Sequence, residues 1–210
     1  MEFGADEAGK GPVLGSMFAA AVRAPRTALP AGLDDSKRLG DDCRERLADR
    51  LRADDRVAVG VAEVPPERID AGNTNDLTVA AQAEALAAVV ESGDEGLCDA
   101  GDVDADRFAA RVARRLDADA TVRARHGADA ADDLVAAASV LAKSARESHV
   151  AALEAEYGAV GSGYPSDPTT RAFLREHVAA TGDLPACARE SWATCEDVLA
   201  AAEQSALGEF

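Results

Sequence analysis

The stretch Phe3-Gly4-Ala5-Asp6-Glu7-Ala8-Gly9-Lys10-Gly11-Pro12 decides how this 210-residue chain is read. A short apolar strand start runs into two adjacent carboxylates, and a Gly-Lys-Gly turn closed by a proline follows at once. Carboxylates at the end of a buried strand are costly unless positive charge lies on them. Oxygen donors of this kind suit magnesium or manganese. The glycines let the backbone approach a ligand closely, and Lys10 can aim a charge at a phosphate.

Two other readings compete for the same residues. Gly4 to Lys10 spells G-x-x-x-x-G-K, but a phosphate loop needs Ser or Thr next, to hold magnesium. Here that residue is Gly11, and Asp6 and Glu7 would repel the phosphates. The plainer alternative is an acidic surface turn in an acidic protein.

Composition supports one domain with a helical appendage. Hydrophobic residues make up 47% and aromatics only 4%, which predicts a small-residue, helix-rich core. The formal net charge is −17, from Asp+Glu 39 against Lys+Arg 22, and the only lysines are Lys10, Lys37 and Lys143. An acidic, lysine-poor, alanine-rich chain suits a cytoplasm of very high salt, where screening mutes self-repulsion. The acids are mixed evenly with apolar residues, which excludes a disordered acidic tail. Net charge alone argues against a nucleic-acid partner, but this acidity is global rather than local. Cys43, Cys98, Cys187 and Cys195 form no C-x-x-C pair, and His126, His149 and His177 are scattered, so no zinc site is expected. No run of 18 apolar residues and no basic-then-apolar leader occurs, so a soluble cytoplasmic protein without a membrane partner is expected.

In chain order, Val13 to Val22 is apolar and reads as a strand hairpin-connected to the first. Ser36 is placed to cap a helix to about Ala53; Ser36-Lys37-Arg38 at its start would suit a phosphate, though spacing alone favours a plain cap with solvated charges. Arg56 to Val64 alternates as a third strand, stopped by Pro65-Pro66. Ile69 to Asn75 reads as a turn-rich connection, followed by a buried helix to about Val90. Gly96 to Asp99 is a short strand ending in an acid, where open α/β sheets place ligands. A helix spans about Ala105 to Leu116, a fifth strand Thr121 to Arg125, and a long helix Ala136 to Tyr157. Gly161 to Pro168 is a dense loop signal. Short helices near 169–180 and 189–203 complete the chain.

Asp6, Glu7, Asp99 and Asp129 therefore fall at the ends of three predicted strands. Four carboxylates at one spot repel unless divalent cations neutralise them, an arrangement that suits two-metal phosphodiester hydrolysis. Spacing alone leaves other readings open in a chain with so many acids.

Asp6-Glu7-Ala8-Gly9-Lys10-Gly11-Pro12-Val13-Leu14-Gly15 closely resembles the opening signature of the type 2 ribonucleases H (ribonuclease HII), in an archaeal form. Leu33-Asp34-Asp35-Ser36-Lys37-Arg38-Leu39 is similar to the family's D-S-K-x-L segment. Leu97-Cys98-Asp99-Ala100 with Asp102-Val103-Asp104 and Arg107-Phe108 resembles its third-acid segment. Ala128-Asp129 and Ala137-Ala138-Ser139-Val140-Leu141-Ala142-Lys143 resemble its fourth acid and the helix start after it. Gly161 to Pro168 and Glu190-Ser191-Trp192 resemble its C-terminal segments.

The resemblance implies a ribonuclease H-like α/β fold, with a five-stranded mixed sheet flanked by helices over 1–160 and a helical C-terminal region over 161–210. It implies an endonuclease that cleaves the RNA strand of RNA–DNA hybrids and nicks DNA duplexes 5′ of single ribonucleotides, leaving 3′-hydroxyl and 5′-phosphate ends. Asp6, Glu7, Asp99 and Asp129 become the catalytic acids, holding two magnesium or manganese ions. Gly9, Lys10 and Gly11 fit the turn that reads the ribose 2′-hydroxyl, the group that separates RNA from DNA. Tyr164 fits the tyrosine that stacks at the DNA–RNA junction. Ser36, Lys37, Ser139 and Lys143 fit backbone-phosphate contacts, which position a duplex without reading its sequence.

Lys10 stands where most type 2 members carry Arg, which weakens bidentate contact. With the signature beginning at residue 3, no preceding substrate-binding domain is expected, which argues against the related type 3 enzymes despite the Gly-Lys-Gly turn they favour. A non-catalytic nucleic-acid-binding module on the same fold, or a junction resolvase-like nuclease, are the rival readings. A monomer is expected. No sliding-clamp peptide is evident, so a replication partner stays open.

Overall fold

A computed structural model describes residues 1–33 and 40–207, with side chains through 204. The chain forms two compact units. The first comprises Met1–Ala8, Phe18–Glu63 and Thr74–Arg146, and the second Gly9–Met17, Val64–Asn73 and Glu147–Phe210. The second is thus gathered from three stretches of the chain.

The first unit is built on a five-stranded mixed sheet. Its strands are β1 (Glu2–Ala8), β2 (Met17–Ala24), β3 (Ala58–Val64), β4 (Glu95–Asp99) and β5 (Thr121–Arg125), in the order β3-β2-β1-β4-β5. The pair β1–β2 is antiparallel, while β1–β4 and β4–β5 are parallel. The central strand β1 therefore has neighbours on both sides, and its carboxyl end lies level with that of β4.

Helices cover both faces. On one, α1 (Asp41–Ala53) and the first half of α5 (Asp133–Tyr157) pack Leu47, Leu51, Leu134, Val140 and Leu141 against Ala20, Val22 and Ala24 of β2. On the other, α3 (Thr74–Ala87) lies against β1, and α4 (Ala105–Ala113) against β5. The alternation of β2 sorts Ala19 and Ala21 away from Ala20 and Val22. Small side chains on both sheet faces let the helices approach closely. The approach is close at Gly4, where a Cβ would overlap the Leu134 carbonyl group and the Val135 nitrogen.

The second unit has its own core. Val13, Leu14, Leu153, Val160, Leu174, Val178, Cys187 and Cys195 are buried together. Beside them the Tyr157 ring meets Phe173 and His177 edge-on. Helix α6 (Pro168–Thr181) has strong end signals: Asp167 caps it by accepting from Thr169 N–H, Pro168 opens it, and Gly182 closes it at φ 84°. Two Ser162 donors and the Thr169 N–H hold the Asp167 carboxyl at about 2. Helix α7 (Ala193–Leu207) packs on α6.

Several boundaries differ from the sequence reading, most clearly in three places. The strand expected from Val13 begins instead at Met17, because Gly15 takes φ 76° and breaks the extended run. Val13 to Gly15 pair with Cys187 to Arg189 through Gly15 N–H to Cys187 O and Arg189 N–H to Val13 O. Pro66 does not only stop β3; it opens a one-turn helix, α2 (Pro66–Asp70), at the position where proline fits a helix start. The helix expected to reach Val90 is α3, which ends at Ala87.

Gly4→Ala should cost about 2–3 kcal/mol, because backbone rather than a flexible side chain blocks the new methyl group. Thermal unfolding in molar KCl tests this, and a loss of under ~0.5 kcal/mol would mean that α5 shifts freely on the sheet.

Candidate active site

Asp6 and Glu7 are consecutive in β1, so pleating sends them to opposite faces of the sheet. Asp6 turns toward α5, where its carboxyl shares a hydrogen bond with Ser139. Glu7 turns toward α3, where Gln82 Nε2 donates to Glu7 Oε2 at 2.6 Å. The same Gln82 nitrogen donates to the Asp99 carbonyl at 2.9 Å, so one fully buried amide ties β1 to β4. The loop after β4 closes over Glu7, since a Cβ on Gly101 would lie 3.0 Å from Glu7 Oε1.

Asp99 sits one residue beyond the Ala5–Cys98 register pair and is the parallel-strand neighbour of Asp6. Its Oδ1 accepts the Ala128 N–H at 2.6 Å. That contact adjoins the short 3-10 turn Ala128–Ala130, which carries the buried Asp129. Gly127, at φ 63°, makes the left-handed step from β5 into the turn.

The electrostatics follow from this crowding. Asp6 is 5% exposed. Burial first, then the Glu7 and Asp99 charges, push its carboxyl up to about 8, against the pull of the Ser139 and Glu7 N–H hydrogen bonds. Beneath the acids, burial and the same three carboxylates keep the Cys98 thiol protonated. A group that resists ionisation beside two like charges is one that a cation would relieve.

The donor set fits a hard divalent cation: it is carboxylate oxygen, with a protonated thiol beneath. Among the described residues, no three Asp, Glu, His or Cys side chains are gathered into a finished metal cage. The pleat accounts for that. Asp6 and Glu7 diverge, and Glu7 and Asp99 are each held by a hydrogen-bond donor rather than by one another.

Lys143 Nζ donates to Ser139 Oγ at 2.8 Å, one helical turn along α5. Ser139 is fully buried, so it stands between Lys143 and Asp6 rather than at the surface. Ser36 and Lys37 lie outside the described residues.

The remaining predicted residues belong to the second unit. Gly9 turns the chain at φ 83°, and Gly11 is exposed. The Tyr164 ring is 46% exposed and comes within 3.6 Å of where a Gly11 Cβ would lie. Gly163 holds this loop by accepting from Val13 N–H at 2.8 Å and Leu14 N–H at 3.2 Å.

Two residues escaped the sequence reading. Gln82 carries a faint signal, an amide among the alanines of a largely apolar helix, which needs a partner when buried. Arg189 carries none, since one arginine beside Glu190 looks like a solvated charge. In the structure it is fully buried.

A family model described as ribonuclease HII matches residues 3–195. A ribonuclease HII of Natronomonas pharaonis is 64% identical over 207 residues, covering 99% of this chain and 98% of its own. The crystal structure of the ribonuclease H2 from Pyrococcus horikoshii superimposes with a TM-score of 0.89 at 34% identity, over 97% of this chain and 99% of that one. A ribonuclease HII solved in complex with PCNA from Archaeoglobus fulgidus gives 0.83 at 35% identity, over 94% and 96%.

The raised Asp6 carboxyl carries a pH signature. The unfolded chain releases this proton near the ordinary 3.8, and the folded state keeps it to about 8. Stability from this position therefore falls as pH rises through that window. Asp6→Asn should match the parent's Tm near pH 4 without divalent ions and exceed it at pH 8 by at least about 2–4 °C, the shift of one kcal/mol in a chain of this size. Parallel pH profiles of the two proteins would overturn the assignment.

Proposed function

The chain belongs to the ribonuclease HII family and is an endoribonuclease, and from that premise we propose that it cleaves the RNA strand of RNA–DNA hybrids and nicks DNA duplexes 5′ of single ribonucleotides. The products carry 3′-hydroxyl and 5′-phosphate ends. The observation that supports this best is the buried, proton-holding Asp6 beside Glu7 and Asp99 at the carboxyl ends of two parallel strands.

Asp6, Glu7, Asp99 and Asp129 would hold divalent cations, magnesium or manganese. The chemistry supplied by two ions bound there would be positive charge on the scissile phosphate and activation of water at neutral pH. The chain's own residues do the rest. Gln82 keeps Glu7 aimed and fixes the end of β4. Ala128 N–H orients Asp99 and so places the Asp129 turn. Ser139 relays the Lys143 charge to Asp6, and with Ser36 and Lys37 Lys143 steadies backbone phosphates. Gly9, Lys10 and Gly11 read the 2′-hydroxyl of the ribose, and Tyr164 stacks at the junction. Lysine at position 10 offers a point charge where arginine would offer a fork.

The protein would act in the cytoplasm, in ribonucleotide removal during replication and repair, as a monomer. The Archaeoglobus fulgidus relative was solved with PCNA, and a replication clamp of that kind is the partner we extend to this chain.

The test is an end-labelled DNA duplex bearing one ribonucleotide, in molar KCl with magnesium or manganese. One nick 5′ of the ribonucleotide is expected, and its loss in Asp6→Asn. Gln82→Leu should slow it by about 10–100-fold, as when a group that orients metal ligands is removed. Cleavage of an RNA–DNA hybrid but not of this duplex would remove the role given to the turn and Tyr164. Failure on both substrates by folded protein would favour a non-catalytic binding module.

A further inference from the structure

We propose that Arg189 is the positioning residue of the Gly9-Lys10-Gly11 turn, and that Asp70 acts through it; this rests on the reading of that turn as the 2′-hydroxyl sensor. Arg189 is the bulkiest fully buried side chain among the described residues. A buried guanidinium is costly unless its donors are met. Three of them go to backbone carbonyls of one loop. Nη2 donates to Gly9 O at 2.6 Å, Nη1 to Lys10 O at 3.0 Å and Nε to Gly15 O at 2.9 Å.

The direction of those carbonyls fixes the turn's chemistry. In a trans peptide the C=O of one residue and the N–H of the next point opposite ways. Drawing the Gly9 and Lys10 carbonyls onto Arg189 therefore turns the Lys10 and Gly11 N–H groups to the other side. Consecutive N–H groups on one side of a turn form a concave, electropositive surface suited to an oxygen acceptor. Trp192 extends the hold: its ring lies over the guanidinium at 5.2 Å, and its Nε1 makes a long 3.5 Å contact to Gly11 O.

Arg189 is itself held on both sides. Its N–H donates to Val13 O at 2.8 Å. The two residues after it are clamped by Asp70, whose Oδ2 accepts Glu190 N–H at 2.9 Å and whose Oδ1 accepts Ser191 N–H at 3.0 Å and Ser191 Oγ at 2.6 Å. Asp70 thus fixes the segment that carries Arg189, and Arg189 fixes the turn.

The measurement is fluorescence anisotropy with two labelled DNA duplexes of one sequence, one bearing a single ribonucleotide, in molar KCl with calcium replacing magnesium. The parent should prefer the ribonucleotide duplex. Arg189→Met should lower that preference about tenfold, the scale of one lost hydrogen bond to a charged group, and leave affinity for the all-DNA duplex unchanged. Arg189→Lys should restore part of it, and Asp70→Asn should lower it without removing the buried cation. A purely structural role would lower the Tm or both affinities together and leave their ratio intact; that result in Arg189→Met or Asp70→Asn would overturn the proposal. Should circular dichroism show Arg189→Met unfolded, the ratio in Asp70→Asn decides alone. A parent without preference would fail the reading of the turn itself, and the proposal with it.

Discussion

The structure of the first unit depends on keeping a carboxyl group buried beside two others. Asp6 is 5% exposed, and the Glu7 and Asp99 charges add to the effect of its burial. Left alone, that group would favour an opened sheet over a closed one. Its surroundings answer in three ways. The pleat sends Glu7 to the opposite face, Ser139 gives Asp6 a hydrogen bond, and Gln82 and Ala128 occupy the oxygens of Glu7 and Asp99. Each device separates the acids or fixes one of their oxygens by a hydrogen bond. The result is a set of acids with individual tethers, which suits reversible binding of ions better than a closed structural cage would.

The second unit solves the converse problem, a buried cation. Arg189 is matched to carbonyl dipoles of its own unit, and Trp192 covers its face. Carbonyls are the natural partners for a guanidinium that must remain in place, because backbone cannot rotate away as a side chain can. The stabilisation serves the loop as much as the arginine: a glycine-rich segment is entropically costly to order, and three hydrogen bonds to one rigid group order it at once.

How much of this was legible in the sequence depends on whether a residue's role is announced by its neighbours in the chain. The five strands and their order of types could be read because alternation and turn residues are local signals. The acids stood out because carboxylates at the ends of apolar runs contradict their setting. The start of β2 was misread because Val13, Leu14 and Met17 are equally apolar, and only the φ of Gly15 separates the bridge to Ala188 from the strand. Pro65-Pro66 was read as a stop alone, although the second proline is equally a helix start. Gln82 could have been found by asking what an amide in a largely apolar helix bonds to. Arg189 could not, since the carbonyls it holds are more than 170 residues away in sequence and backbone acceptors leave no trace in composition.

The net charge of −17 bears on how such a protein could hold a polyanion at all. At the molar salt this composition suits, the screening length falls to about 3 Å, and the entropy gained by releasing counterions from a duplex shrinks with it. Surface repulsion is muted, but so is the attraction that a basic patch would supply. Affinity must then come from contacts shorter than the screening length: hydrogen bonds, ring stacking and ions held by buried acids. Those contacts are sensitive to position, because a donor displaced by an ångström loses most of its interaction. A chain that cannot rely on long-range charge gains more from rigid placement of a few groups. Lys143 is held on Ser139, and a turn carrying Lys10 is held by a buried arginine. The Lys143 ammonium is thus held on a buried hydroxyl, and the Lys10 main chain on a buried guanidinium.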